Sequence, residues 1–467
     1  MHPRETDPLL QWTATPSPRR KATFLWLLPV LALSGLERGI SMSNYVEHSQ
    51  HTVCREEPYP CGASFRAFFE LPGFGAYVDY HDVYTAVVAS FLTIGYWSVA
   101  ADRRGRKVTI LASTLGLVLI DVVYHLVAHI QMAPATAAVV LRTGLVLQNL
   151  IGAGVPGYIG ASRAYIFDVA ESPLQRITLS ALNDVATFGM LFFGAVVGHF
   201  VGYRNAYLLG TIIGIGNCAW IYYLLPESLS ASAPITEADT DVAPKSALRT
   251  LFTPINVLFQ GHAVGVTAFA FFIWCFAAAA DVAVIRYTLA QAASVVTGPL
   301  PLWAEWICYT VPRVIGMGSL VIVIPLIVRR FQHKHVIIGN THTRAESEDL
   351  ALRVALPLTQ HALLLCAVAC AGVIGFTSRL SALYVLLVAL LPLATTALPP
   401  LLYALAATYH LKARRSPSEM AQLMSALALG VFLFNGISFE WYGAGISAFG
   451  ATAAWAVVAL AWLKVAL

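Results

Sequence analysis

Ionisable side chains stand inside several apolar runs of this chain, where each costs about 2.5 to 3.5 kcal/mol at the centre of a membrane helix and is normally held by a partner or a cavity. Glu37 and Arg38 fall in LSGLERGISMSN, Asp184 in SALNDVATFG, Asp281 in AAAADVAVI, and Arg313 in YTVPRVIGM. A carboxyl in such surroundings can take up and release a proton, and an arginine can hold an anion. Glu37 and Arg38 are neighbours, about 100° apart on a helix, so they neutralise each other poorly. Ser34, Glu37, Ser41 and Asn44 recur at i, i+3, i+7 and i+10 and make a polar stripe flanked by Arg38. Such a stripe suits a water-filled pathway; an interhelical salt bridge is the alternative. Ser180, Asp184 and Thr187 repeat the pattern, as do Thr267, Trp274 and Asp281, and Glu305, Tyr309 and Arg313. Arg313 is expected either to bind an anionic group of a solute or to pair with an acid that titrates.

Other chemistries are poorly served. The seven cysteines are scattered, with no metal-site spacing, and Cys218, Cys275, Cys366 and Cys370 lie in apolar runs where a buried thiol is the ordinary outcome. No nucleotide-binding Gly-x-x-x-x-Gly-Lys-Ser/Thr loop occurs, and no His, Asp or Cys cluster marks a catalytic centre, so an enzyme is not expected and no cofactor is implied. The formal net charge of +4 comes without a basic tail or stripe, which sets nucleic acid aside. Asp121, His125 and His129 share one helix face and read as structural or interfacial.

The elements that must position these residues are membrane helices. Only 12% of residues are charged, against about a quarter in soluble domains, and 58% are hydrophobic. Apolar runs of about 20 residues lie at 22–46, 81–101, 108–130, 136–166, 178–200, 204–225, 258–285, 302–328, 354–376, 381–408, 419–439 and 442–464. Hydrocarbon leaves loose backbone unsatisfied, so these should be helices. With the N-terminus inside, inner segments hold 20 of the 29 Lys and Arg and outer loops 5, the asymmetry that cytoplasmic loops show. This predicts an all-α integral membrane protein: a cytoplasmic tail (1–21), six helices (22–225), a flexible cytoplasmic linker (226–257) and six more helices (258–467). Gly152, Gly154, Gly157, Gly160 and Pro156 in the fourth span suit close packing and a bend. In the outer loop 47–80, Cys54 could pair with Cys61 or with Cys308.

Between the second and third spans lies SVAADRRGRK, with four cations and an aspartate from Asp102 to Lys107. It resembles the loop signature G-x-x-x-D-R-x-G-R-R/K of the major facilitator superfamily. Asp102, Arg103, Gly105, Arg106 and Lys107 match, and Ser98 replaces the leading glycine. The resemblance implies twelve helices in two six-helix halves, with this loop as a cytoplasmic gate whose charges pair with neighbouring helix ends in one state.

A narrower resemblance, to the proton-coupled folate transporter branch and its fungal relatives, rests on GYIGASRAYIFDVAESPLQR at 157–176, with Ala164, Tyr165, Asp168, Val169 and Arg176 at matching positions. That branch implies a proton-coupling acid in the fifth helix, which falls on Asp184 counted from Arg176 and on Asn183 counted from Asp168. Glu37, Asp168 and Asp281 are the other coupling candidates. Candidates for the solute pathway are Arg38, Ser41, Asn44, Asn183, Thr187, Trp274, Tyr309 and Arg313. The implied function is secondary transport of a small organic solute, conceivably an organic anion, by a monomer in a lipid bilayer, with protons as the second partner. The fifth span lacks the G-P-x-x-G-G element of drug:proton antiporters, which favours symport over efflux; a non-transporting sensor is the alternative from another class. The plasma membrane is favoured, with the vacuolar membrane second because Glu5, Leu9 and Leu10 fit an acidic dileucine signal.

Overall fold

The computed structural model describes residues 21–44, 48, 80–130, 132–229, 247–259, 261–278, 344–376, 382–414, 419–443 and 447–465, with isolated positions between 316 and 330. Among the described residues regular structure is entirely helical. The helices are α1 (Phe24–Ser43), α2 (Tyr80–Arg104), α3 (Arg106–His129), α4 (Pro134–Leu150), α5 (Gly154–Val169), α6 (Pro173–Val201), α7 (Tyr203–Tyr223), α8 (Ala247–Leu258), α9 (His262–Ala278), α10 (Arg344–Phe376), α11 (Ala382–Arg414), α12 (Met420–Gly443) and α13 (Ser447–Val465).

Six of the described helical segments are long and apolar enough to cross a membrane, with α4 and α5 counted together, or seven if α8 and α9 form one bent span. Their surfaces invert the soluble pattern: Leu25, Phe193, Phe200 and Tyr223 point outward, with Phe200 83% exposed. Such side chains are compatible with lipid rather than water. The chain is an integral, multi-pass membrane protein.

Local chemistry sets the helix ends. Pro173 opens α6 at a position whose N–H needs no helical partner, and the Ser172 hydroxyl accepts from the Gln175 N–H at 3.2 Å. The expected bend in the fourth span is a full break. Residues 152–154 all have positive φ (71°, 60° and 58°), and a side chain on Gly152 would lie 2.2 Å from the Ser113 nitrogen.

α1 lies closely against α6. A Cβ on Gly39 would sit 2.0 Å from the Leu191 carbonyl oxygen, and Gly35, Gly194 and Gly198 line the same seam. In a lipid environment, association depends on such backbone proximity rather than on hydrophobic exclusion. The two halves meet where α12 packs on α2 and α5 and where α10 and α11 pack on α6. One apolar core spans that junction, from Phe167, Leu174 and Ile177 of the first half to Leu405, Met424 and Leu427 of the second.

The linker carries more structure than the sequence suggests, and one expected span falls outside the described residues. The linker is not uniformly loose: residues 226–229 dock on the first half, and α8 occupies its end, with Phe252 5.8 Å from Phe91 in ring-to-ring contact. The sequence ALRTLFTPINVL gives α8 an apolar face that packs against α2 and α12. The expected eighth span at 302–328 lies almost wholly outside the described residues, as do the loop cysteines Cys54 and Cys61 and the alternative partner Cys308.

Candidate functional site

The loop between α2 and α3 is the centre of an ionic cluster. Arg106, 1% exposed, donates from Nη1 to Asp102 and from Nε to Asp168 at 2.9 Å. Asp168, at the end of α5, also accepts from the Ser228 hydroxyl at 2.8 Å. Glu227 accepts from the backbone N–H groups of Arg106 (2.9 Å) and Lys107 (3.2 Å), which lie at the open N-terminus of α3. Gly105 has φ +118°, and a Cβ there would come within 2.0 Å of the Glu227 carboxylate. Glycine is therefore required twice over at that position. Lys107 donates to the Tyr222 carbonyl at 2.8 Å, Arg103 is exposed, and buried Ser98 turns its hydroxyl back to Gly95.

This cluster reaches the second half. Asp102 accepts from the Ala421 N–H (3.1 Å), the Gln422 N–H (3.3 Å) and the Gln422 side chain (3.1 Å), so it caps the first turn of α12. Nearby, Arg176 of α6 holds both carboxylate oxygens of Glu348 on α10 at 3.2 Å. Both ties lie at the end of the molecule where the cations cluster.

Deeper in the bundle is a second ion pair. Arg163 of α5 donates to Asp184 of α6 and to the Ser180 carbonyl at 3.1 Å. Its guanidinium stacks on Tyr403 of α11, 4.4 Å from the ring centroid, and Phe271 of α9 packs against that ring at 4.6 Å. Asn183 donates to the same Asp184 oxygen at 3.1 Å. All four polar residues are nearly or fully buried. Even so, among the described residues Asp184 Oδ2, Arg163 Nε, Ser180 Oγ and Asn183 Oδ1 have no hydrogen-bond partner. Buried polar atoms usually do have one, so this cluster of unsatisfied groups at the junction of the halves is the strongest candidate for a solute or proton site.

No family model and no curated protein sequence matches the chain. Solved structures do. The human organic anion transporter MFSD10 (TETRAN) superimposes with a TM-score of 0.65 at 16% identity, covering 94% of this chain and 98% of that one. The proton:xylose symporter XylE gives 0.59 at 16% identity, with 94% and 95% covered. The E. coli fucose:proton symporter FucP gives 0.57 at 12% identity, with 95% and 99% covered. The chain has the major facilitator fold.

Within the major facilitator fold, the sequence candidates separate into three groups. Asp102, Gly105, Arg106 and Lys107, together with Asp168, belong to the ionic cluster, while Ser98 bonds back to Gly95 and Arg103 is exposed. Asp168 is thereby engaged by Arg106 and Ser228 and stands apart from Asp184. Asn183 and Asp184 both belong to the deeper site, where Asn183 donates to the Asp184 oxygen that Arg163 holds. The Thr187 carbonyl lies against Gly35 in the seam with α1. Trp274 donates to the Thr395 carbonyl at 2.7 Å, tying α9 to α11.

The α1 stripe faces the interior of its own half. Ser34 accepts from Asn217 of α7 at 2.8 Å, Ser41 donates to Asp121 of α3 at 2.9 Å, and Asn44 donates to the Gly198 carbonyl of α6 at 2.8 Å. The glycine face of α1 is fixed on α6, which turns the opposite, polar face toward α3 and α7. Arg38 is half-buried beside it. Asp281, Tyr309 and Arg313 lie outside the described residues.

Sequence reasoning missed Arg163, Tyr403, Glu227, Glu348 and Gln422. Arg163 had a signal: it is a cation inside an apolar span, as Asp184 is an anion inside the next. Tyr403 had none, since a tyrosine in an apolar helix is ordinary.

Proposed function

We propose that this protein is a secondary active transporter that moves a small organic solute by alternating access, with proton movement coupled at the Arg163–Asp184 pair. One observation carries the reading. A buried ion pair from the first half stacks on an aromatic ring of the second and leaves polar atoms on both partners unused. When Asp184 takes a proton, the Arg163 guanidinium loses its counter-charge and becomes a site for an anionic solute group, held by charge-assisted hydrogen bonds. When the solute leaves, the proton is released and the pair re-forms. Because Tyr403 lies across the junction, a change in the pair alters the contact between halves, which is the coupling that alternating access requires.

The ionic cluster supplies the gate. Asp102 on α12 and Arg176 on Glu348 close the cation-rich end, and the asymmetry of Lys and Arg supports a cytoplasmic side for it. The same fold in a human organic anion transporter and in two proton:sugar symporters is consistent with this reading, as a likeness of fold alone. The absence of the antiporter element in the fifth span favours symport.

Luminal pH in proteoliposomes tests the proposal, recorded with a trapped dye while folates, organic anions and cationic drugs are added outside. Acidification with one class, abolished in Asp184→Asn, is expected. Alkalinisation of an acid-loaded lumen would replace symport with antiport, and no response to any compound in correctly folded protein would remove proton coupling.

A further inference from the structure

We propose that Glu37 and Asp121 form a separate proton site, in which the two neighbouring carboxyl groups hold one proton between them. The site goes beyond the Arg163–Asp184 pair and does not depend on it. Glu37 of α1 is fully buried, and among the described residues neither of its carboxylate oxygens has a hydrogen-bond partner. Asp121 of α3 is 2% exposed and accepts from Ser41, one helical turn beyond Glu37.

α7 closes over both with glycine. A Cβ on Gly214 would lie 2.6 Å from Glu37 Oε1, and one on Gly210 would lie 2.6 Å from Asp121 Oδ2 and 2.8 Å from Ser41 Oγ. Two carboxyl groups are thus confined within about a turn of each other in a seam that excludes water. α1 cannot rotate Glu37 away, because its opposite face is locked against the Thr187 and Leu191 carbonyls.

The groups around the pair do not neutralise it. Among the described residues neither carboxylate makes an ion pair; Arg38, half-buried on α1, acts on both at longer range. Tyr158 of α5 directs its hydroxyl to the Val30 carbonyl at 3.3 Å, and Cys218 of α7 is a thiol; α6 offers only backbone here. Two anions in a low-dielectric seam, opposed only by Arg38 at longer range, repel strongly and carry a large desolvation cost. One proton on the pair removes the mutual repulsion and leaves a single anion, which Arg38 opposes at longer range. A metal ion is a poor alternative, since it needs about six oxygen ligands and the seam adds only Ser41. Release transfers one proton and no other group, and leaves two charges between α1, α3 and α7. The packing of the first half is therefore pH-dependent without any solute.

Infrared difference spectroscopy of the full chain in nanodiscs, titrated in pH without solute, is the test. The expected result is a carbonyl stretch from a protonated carboxyl that is lost in Glu37→Gln, shifted in Asp121→Asn and retained in Asp184→Asn. Should Glu37→Gln not fold, wild-type protein with carbon-13 at its glutamate carboxyls decides: the band moves if Glu37 takes part. A missing band, a band indifferent to both Glu37→Gln and glutamate labelling, or a band abolished by sodium at constant pH would each overturn the proposal.

Discussion

Replacing Asp102 with alanine removes four interactions at once: the charge-assisted bond from Arg106 and three bonds from the start of α12, namely the two N–H groups and the Gln422 side chain. Breaking a buried ion pair typically costs about 3 to 5 kcal/mol, and each hydrogen bond to a charged group contributes about 1.5 to 3. These terms do not add, because they share one carboxylate, and Arg106 keeps its bond to Asp168 at 2.9 Å. A net loss of roughly 2 to 3 kcal/mol from the tied, cation-rich end follows, which is about 30- to 150-fold in its opening equilibrium. Hydrogen–deuterium exchange reads this directly, since the Ala421 and Gln422 amides are the donors. Their exchange should accelerate by that factor in Asp102→Ala, while amides in the middle of α1 and α6 stay protected. Unchanged exchange at residues 420–423 in a folded variant would refute the role assigned to Asp102.

The other predictions concern pairing and packing. Arg163→Gln should destabilise the protein more than Arg163→Gln combined with Asp184→Asn, because the single change strands a buried carboxylate whereas the double removes both charges; thermal unfolding in detergent compares them. Tyr403→Phe keeps the ring under Arg163 and should retain transport, whereas Tyr403→Ala should weaken it. Gly39→Ala must push α1 off α6, since its Cβ would meet the Leu191 carbonyl at 2.0 Å, and should lower stability by about 1 to 3 kcal/mol, read as a fall in Tm. Glu348→Arg should impair transport and be rescued by Arg176→Glu, which restores the inter-half pair in reverse. Lys412, by contrast, draws the Asp349 carboxyl below its usual range through an exposed bond. A depressed carboxylate contributes above its unfolded pKa and loses that contribution as pH falls through the folded value. Solvent screens this pair, so Lys412→Ala should leave Tm unchanged.

Hydropathy and the Lys/Arg asymmetry made the helical architecture legible, because lipid imposes length and satisfaction rules that leave few alternatives. The loop motif was legible as a signature: Asp102, Gly105 and Arg106 stand at its spacing and meet in one ionic cluster. What sequence did not reveal was partnership across long separations. Asp184 stood out as a charge in a span, but its contact with Arg163 depends on how α5 and α6 pack, and the Tyr403 stack depends on how the halves meet. The α1 stripe was correctly seen as polar and then aimed at the pathway. Its direction is set by Gly35 and Gly39, whose role is visible only once Thr187 and Leu191 are found against them. Likewise α8 was hidden in a polar stretch, since its packing partners lie in α2 and α12.

Solute exchange and proton-driven accumulation, measured side by side in proteoliposomes of wild type and Asp184→Asn, test the central claim most directly. If Arg163–Asp184 is the coupling pair, the variant should still exchange internal for external labelled solute but should no longer accumulate it against a gradient when the outside is acidified. Accumulation by Asp184→Asn at the wild-type level would contradict the account and detach proton coupling from this pair.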